Sequence, residues 1–360
     1  MQKLTRRDAL KAGTGLLIAP ALYESATCLA QEPKASVKPD RYADAVLIDG
    51  EPPLPISGSF TVAVLPDTQL YSWKYPETYF AQTRWLIEQR DARNIAAVLH
   101  LGDITHKSTT AEWEVAQQAM RQLDGVLPYF ITTGNHDYEG NRTSKFSQYF
   151  PVDHYRDQST FGGTYDQEPN LLENSFHRFS SGGRNVLVLA LEWGPRKDVV
   201  RWANGIVSRY PDHEVILVTH AYMYHDDTRY DWNTYGKDQL WSPHGSAVSR
   251  ATNDDVMDGE ELWNHLVSRH ENFIMTLNGH VLEDGLGRLT SQAPGGRDVH
   301  QMLVNFQMRP NGGDGWLRLL EFLPDGKTVE VRDYSPVLQK RNESPQNRFT
   351  LALSPSAGIK

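Results

Sequence analysis

The sequence predicts an α/β fold, and three observations predict it. Over residues 60–132 short apolar runs alternate with stretches of helical period, giving strand, helix, strand, helix, strand. Five apolar runs along the chain stop in polar side chains able to hold a cation or move a proton. From Gln301 onward the apolar runs are separated by Gly/Asn and Asp-Gly turns, the mark of antiparallel strands.

The elements follow in order. Phe60 to Leu65 is a short apolar run suited to a buried strand, and it leads into Asp67. Pro76 suits a first helical turn, and Phe80, Thr83, Leu86 and Ile87 follow at helical spacing. Residues 96–101 form the second strand, ending at Asp103. Trp113, Ala116, Met120 and Leu123 mark the next helix, and residues 128–132 the third strand. This alternation implies a mostly parallel sheet with right-handed crossovers.

Residues 139–173 lack a period and predict a long loop or small insertion. A strand at 185–191 precedes an apolar helical face of Val199, Trp202, Ala203, Ile206 and Tyr210. The next strand, 215–219, ends at His220. Residues 222–244 are irregular and rich in Tyr and Trp, whose faces either stack on sugars or bases or cover the sheet. A helix around Leu262 and Leu266 precedes a strand at 273–277 that stops in Asn278-Gly279-His280. Residues 301–306, 316–323 and 328–333 are the closing antiparallel strands, with a Gly-rich turn at 311–315. Trp193 and Trp263 are assigned to the core.

At 360 residues with 39% hydrophobic and 22% charged content, the chain has enough apolar material for a large globular domain. No apolar run approaches the roughly 20 residues of a membrane-spanning helix. Thr5-Arg6-Arg7-Asp8-Ala9-Leu10-Lys11 before the apolar segment 12–22 predicts a twin-arginine signal over residues 1–30, cleaved after Ala30. That implies the twin-arginine export machinery as a partner and a periplasmic or secreted destination. Residues 31–58 are expected as an extended lead-in, 59–340 as the functional domain and 341–360 as a tail.

Cleavage would remove Cys28, the only cysteine, so any metal must sit on nitrogen and oxygen ligands. A net charge of -9 without a Lys/Arg cluster argues against nucleic acid as the main partner.

In open α/β sheets ligands collect beyond the carboxyl ends of strands, which is where Asp67, Asp103, Gly134-Asn135-His136-Asp137, His220 and Gly279-His280 fall. This ordered set resembles the calcineurin-like metallophosphoesterase superfamily, whose blocks read DxH, GD, GNH(D/E), a lone His after a strand, and GHxH. The resemblance spans about residues 60–335. It implies an αββα sandwich of two mixed sheets flanked by helices, and a divalent centre of one or two ions (Mn, Fe, Zn or Mg). Under it Asp67 binds the first metal, Asp103 bridges the two, and Asn135, His220 and His280 bind the second. His136 faces the scissile ester and assists the leaving oxygen, while Asp137 takes a supporting part.

Two positions depart from the pattern. Gln69 stands where the His of DxH is expected and offers at most a carbonyl oxygen; Leu282 stands where the last His of GHxH is expected and offers nothing. Three outcomes follow: a weak, oxygen-rich first site, a single-metal site, or rescue by His106, His300, Asn305 or Gln307. The leading expectation is an exported metal-dependent phosphoesterase in which a hydroxide on the metal attacks a phosphate mono- or diester of a small molecule, glycan or lipid. The alternative is a catalytically weakened binding protein of the same fold for a glycan or lipid headgroup.

Overall fold

From strand β2 (Phe60–Leu65), Phe60, Val62 and Val64 enter one apolar cluster while Ala63 and Leu65 enter another. Successive strand side chains leave opposite faces, so an unbroken apolar run belongs to a sheet covered on both sides. The computed structural model describes Tyr42 and residues 45–354; the expected signal segment and its cleavage point lie outside the described residues.

Two sheets form. In the first, β2 pairs in parallel with β3 (Ile95–His100), which pairs in parallel with β4 (Tyr129–Ile131). On its other side β2 meets β12 (Leu317–Phe322) antiparallel, followed by β13 (Thr328–Ser335), β14 (Lys340–Asn342) and β1 (Leu47–Asp49). Strand β15 (Arg348–Ala352) also pairs with β13. The second sheet runs β10 (Leu286–Gln292), β11 (Asp298–Val304), β9 (Phe273–Asn278), β8 (Glu214–Val218), β7 (Arg184–Ala190), β6 (Ser175–Ser181) and β5 (Phe161–Thr164). Its four strands β7, β8, β9 and β11 are parallel neighbours, with antiparallel strands outside them.

The same alternation in both sheets builds the layers. Val62, Val64 and Leu99 of the first sheet share a core with Val186, Val188, Ile216 and Val218 of the second. Behind the first sheet, Ala63 and Leu65 pack with Leu86 of helix α2 (Pro76–Gln89) and with Trp113 and Ala116 of helix α3 (Thr110–Arg121). Behind the second, Leu187, Leu189, Val215 and Leu217 meet Val199, Ala203 and Ile206 of the helix Lys197–Arg209. The result is the expected α/β sandwich of two mixed sheets flanked by helices.

Several elements differ from the sequence reading. Strand β11, expected among the closing antiparallel strands, instead joins the second sheet parallel to β9, and the hairpin partner that brings it there, β10, has no counterpart in the sequence reading. Residues 139–173 hold two short helices and β5. Helix α1 (Gln69–Lys74) occupies what the sequence suggests is a loop, so Gln69 sits in a helical first turn. Strand β1 lies within the lead-in 31–58 and β15 within the tail 341–360, so both flanks of the expected 59–340 domain lend a strand to the first sheet.

Candidate active site

Asp67, Asp103 and Asn135-His136 follow the carboxyl ends of β2, β3 and β4 in one sheet, while His220 and His280 follow β8 and β9 in the other. The sandwich therefore presents the two groups to each other at one end of the molecule. His220 Nε2 lies 3.1 Å from Asp103 Oδ1 and 3.9 Å from Asp67 Oδ1. One ligand atom each from Asp103, His220 and His280 lies within 4.8 Å of the others, and all three residues are buried. The main chain bends to achieve this, since Asp103 and His280 both adopt positive φ, +48° and +76°.

Glycines let the carboxylates approach backbone. A Cβ on Gly134 would meet Asp103 Oδ1 at 2.1 Å, and one on Gly279 would meet Asp67 Oδ2 at 2.1 Å. Into that space His136 N donates to Asp103 Oδ1 at 3.0 Å, and His280 N donates to Asp67 Oδ1 at 2.9 Å. Each strand-end Asp thus holds the backbone of another motif.

The imidazoles are oriented by carbonyls. His220 Nδ1 donates to Leu101 O at 2.8 Å, which turns Nε2 toward the carboxylates. His280 Nε2 donates to Trp241 O at 2.8 Å, leaving Nδ1 as the free nitrogen. Trp193, buried as expected, packs against both rings with centroids 5.7 and 4.6 Å away.

Charge and hydrogen bonding here favour a bound cation. Two buried atoms of the cluster lack any hydrogen-bond partner, His220 Nε2 and Asn135 Oδ1. Burial pushes the Asp67 carboxyl up to about 7, with the nearby Asp103 charge adding to it and His220 opposing it. Burial also works against the Asp103 anion, but His220 and His136 hold that carboxyl below the usual range. Burial depresses His220, yet Asp103 and Asp67 lift it to about 9, so the site draws in positive charge. Converging nitrogen and oxygen donors, with a buried amide oxygen that makes no hydrogen bond, fit a divalent metal ion.

Asp137, given only a supporting part by sequence, is the clamp of the site. Its buried carboxylate accepts from Gly134 N (2.8 Å), Ile104 N (3.1 Å), Thr105 N (2.9 Å) and Thr105 Oγ1 (2.9 Å). These bonds fasten the loop after β4 to the loop after β3.

Gln69 reaches the cluster, but as a hydrogen-bonding group. Its Nε2 donates to Asp103 Oδ2 at 2.9 Å and to Gln307 Oε1, and its Oε1 accepts from His106 Nδ1 at 2.8 Å. Of the residues considered as replacements for the missing imidazole, His106 and Gln307 contact Gln69. His300 lies elsewhere: its Nδ1 bonds Thr290 Oγ1 at 2.9 Å and its Nε2 donates to Ala352 O at 3.0 Å. Asn305 supports Gln307, accepting its backbone N–H at 2.9 Å.

A ladder of rings leads outward from the cluster. His136 stacks on His106 with centroids 5.2 Å apart, and His106 on the exposed Trp73 at 4.4 Å. Lys74 and Lys107 place their ammonium groups 3.8 and 4.4 Å from the Trp73 ring centroid. Sequence reasoning missed Trp73; the available signal is its position, four residues after Gln69 on one helical turn. Of the aromatic stretch 222–244, Tyr222, Tyr224 and Tyr230 are buried in the core, while Tyr235 and Trp241 are exposed.

Over 311 residues the chain is 29% identical to the uncharacterized protein YvnB of Bacillus subtilis (strain 168), covering 82% of this chain and 21% of that one. It thus spans about a fifth of that relative's length. Among solved structures it is similar to purple acid phosphatase PPD1 from yellow lupin (Lupinus luteus) seeds, at 13% identity and a TM-score of 0.45, covering 83% of this chain and 55% of that one. A 5'-nucleotidase precursor from Thermus thermophilus is similar at 12% identity and a TM-score of 0.41, covering 82% and 55%. The calcineurin-like phosphoesterase model matches residues 60–283, which run from the first strand of the site through the last histidine, and the chain belongs to that family.

Proposed function

We propose that the protein is an exported, metal-dependent phosphoesterase that hydrolyses a phosphate mono- or diester carried by a small molecule, glycan or lipid. The observation carrying the reading is the convergence of Asp103, His220 and His280 beside the partnerless Asn135 Oδ1 and His220 Nε2. When bound, a divalent cation supplies a Lewis acid that offsets charge on the phosphoryl oxygens and makes water acidic enough to attack at neutral pH.

The chain's own groups do the rest. Asp103, Asn135, His220 and His280 would hold the cation, His220 losing its proton as the ion takes its place. His136 donates Nδ1–H to the His106 carbonyl at 2.7 Å, which leaves Nε2 as the site for a second proton, and the Asp103 carboxylate shifts the ring toward that protonated form against its burial. That proton passes to the leaving oxygen as the ester bond breaks. The stacked His106 and Trp73 form a wall for the leaving group, and Lys74 and Lys107 favour an anionic one.

Purified protein loaded with Mn²⁺ should hydrolyse p-nitrophenyl phosphate or bis(p-nitrophenyl) phosphate, and EDTA should stop it. Absence of turnover on both esters after loading refutes the reading. Export rests on Arg6-Arg7 and the apolar segment after them; replacing both by Lys should retain the protein in the cytoplasm. A second reading, a binding protein for a glycan or lipid headgroup, is favoured by the exposed Tyr235 and Trp241 and by the altered positions Gln69 and Leu282. Saturable binding without turnover would select it.

A further inference from the structure

The two sides of the cluster differ in how completely their polar atoms are used. On the side of His220 and Asn135, a buried nitrogen and a buried oxygen make no hydrogen bond of ordinary geometry, and the nitrogen meets only the Asp103 carboxylate at 3.1 Å. On the side of Gln69 both polar atoms of the carboxamide are engaged. The Gln69 amide nitrogen serves Asp103 Oδ2 and Gln307 Oε1, and its oxygen takes the His106 proton. Gln307 N in turn serves Asn305 Oδ1, and Asn305 Nδ2 serves Val281 O at 3.3 Å. None of Gln69, Asn305 or Gln307 has a buried side-chain atom without a partner. Leu282, half-buried at the turn after His280, carries no donor atom in its side chain.

A partnerless buried donor or acceptor is costly and calls for an occupant, whereas a satisfied network must be broken to admit one. A cation between Asp67, Asp103 Oδ2 and Gln69 would require the amide to turn over, losing its bonds to Asp103 and Gln307, and would find no imidazole at position 282. We propose that this chain binds a single divalent cation, on Asp103 Oδ1, Asn135 Oδ1, His220 Nε2 and His280 Nδ1, and that the Gln69–Gln307 carboxamide pair fills the ground of a second. Asp103 is then a terminal ligand through Oδ1, which also accepts from His136 N, while Oδ2 accepts from the Gln69 amide. Asp67 acts as a positioning residue by holding the His280 backbone N–H.

The inference rests on the cation-dependent reading above, and cation counting separates the two. The full chain is incubated with Mn²⁺ alone, freed of excess ion by gel filtration, and assayed by elemental analysis and electron paramagnetic resonance. The expected result is one Mn per chain with the six-line signal of an isolated ion. Two Mn per chain with a spin-coupled signal overturns the single-cation assignment while leaving the cation reading intact; a chain with no Mn overturns both. Gln69→Ala should retain one Mn, because Gln69 is not a ligand, and a fall to zero would contradict the assignment. Gln69→His with Leu282→His should raise the count to two, and an unchanged count in the folded double variant would contradict the proposed exclusion.

Discussion

His220, at the end of β8 in the second sheet, donates its Nδ1 proton to the carbonyl of Leu101, at the end of β3 in the first, at 2.8 Å. This hydrogen bond joins the sheets at the site, as does that from His280 N to Asp67 Oδ1, and it settles which nitrogen of His220 faces the carboxylates. A ligand whose tautomer and direction are set by a carbonyl needs little reorganisation to bind.

His220→Ala should therefore abolish cation binding and hydrolysis together, measured as Mn content and aryl phosphate turnover. Saturating Mn²⁺ should raise the melting temperature of the native chain and leave that of the variant unchanged. The stabilisation expected at a hundredfold excess over the dissociation constant is about 2.7 kcal/mol. Full Mn content in the variant would remove His220 from the ligand set.

His136→Ala should keep the cation and lower kcat by roughly 10²- to 10⁴-fold, the range for a general acid. The deficit should be smaller for p-nitrophenyl phosphate than for phenyl phosphate, because a better leaving group needs less protonation. An equal deficit on both esters would mean that His136 serves binding.

Asp137→Asn places an amide N–H where the carboxylate now meets four donors. The variant should unfold at lower urea concentration, with a loss of roughly 2 kcal/mol. Unchanged stability would show that these bonds do not fasten the two loops.

Glu173 is buried, takes one hydrogen bond from Ser147 Oγ at 2.6 Å, and is pushed by burial up to about 7 from the ordinary 4.5. Between those values the folded chain holds a proton that the unfolded chain has released, so this carboxyl's contribution to stability falls as pH rises from about 4.5 to about 7 and is constant above. Glu173→Gln should remove that fall. The stability of the variant relative to the native chain should grow by roughly 3 kcal/mol across the window, read from urea unfolding at about pH 5 and about pH 8. A difference that shrinks with rising pH would contradict it.

The sequence was most legible where both strand faces are apolar. β2 and β9 begin at the residues expected, and β8 begins one residue before its run, because each fills two cores and so is apolar on both faces, with a single buried Thr in β2 and in β9. β10 was illegible because its sequence LGRLTSQ is buried only at its start and alternates weakly beyond it. β6 was hidden by Ser, His and Arg within SFHRFSS, although most of the strand is buried. The residues that converge at the site were legible because the turns after parallel strands have little freedom in where they point. What could not be read was the use of polar groups once there. Asp137 was expected only in support and Gln69 as a carbonyl ligand, and only the fold shows one clamping two loops and the other bonded to Gln307, 238 positions away in the chain.

Because Asp103 and Asn135 come from one sheet and His220 and His280 from the other, neither sheet alone supplies the proposed ligand set. A polypeptide severed between β4 and β5 would leave an oxygen-rich piece and an imidazole-rich piece, each a poor chelator. Under the proposed function, capture of an ion would report that the halves have docked, and the centre would act as a rivet through the sandwich as much as a reagent upon it.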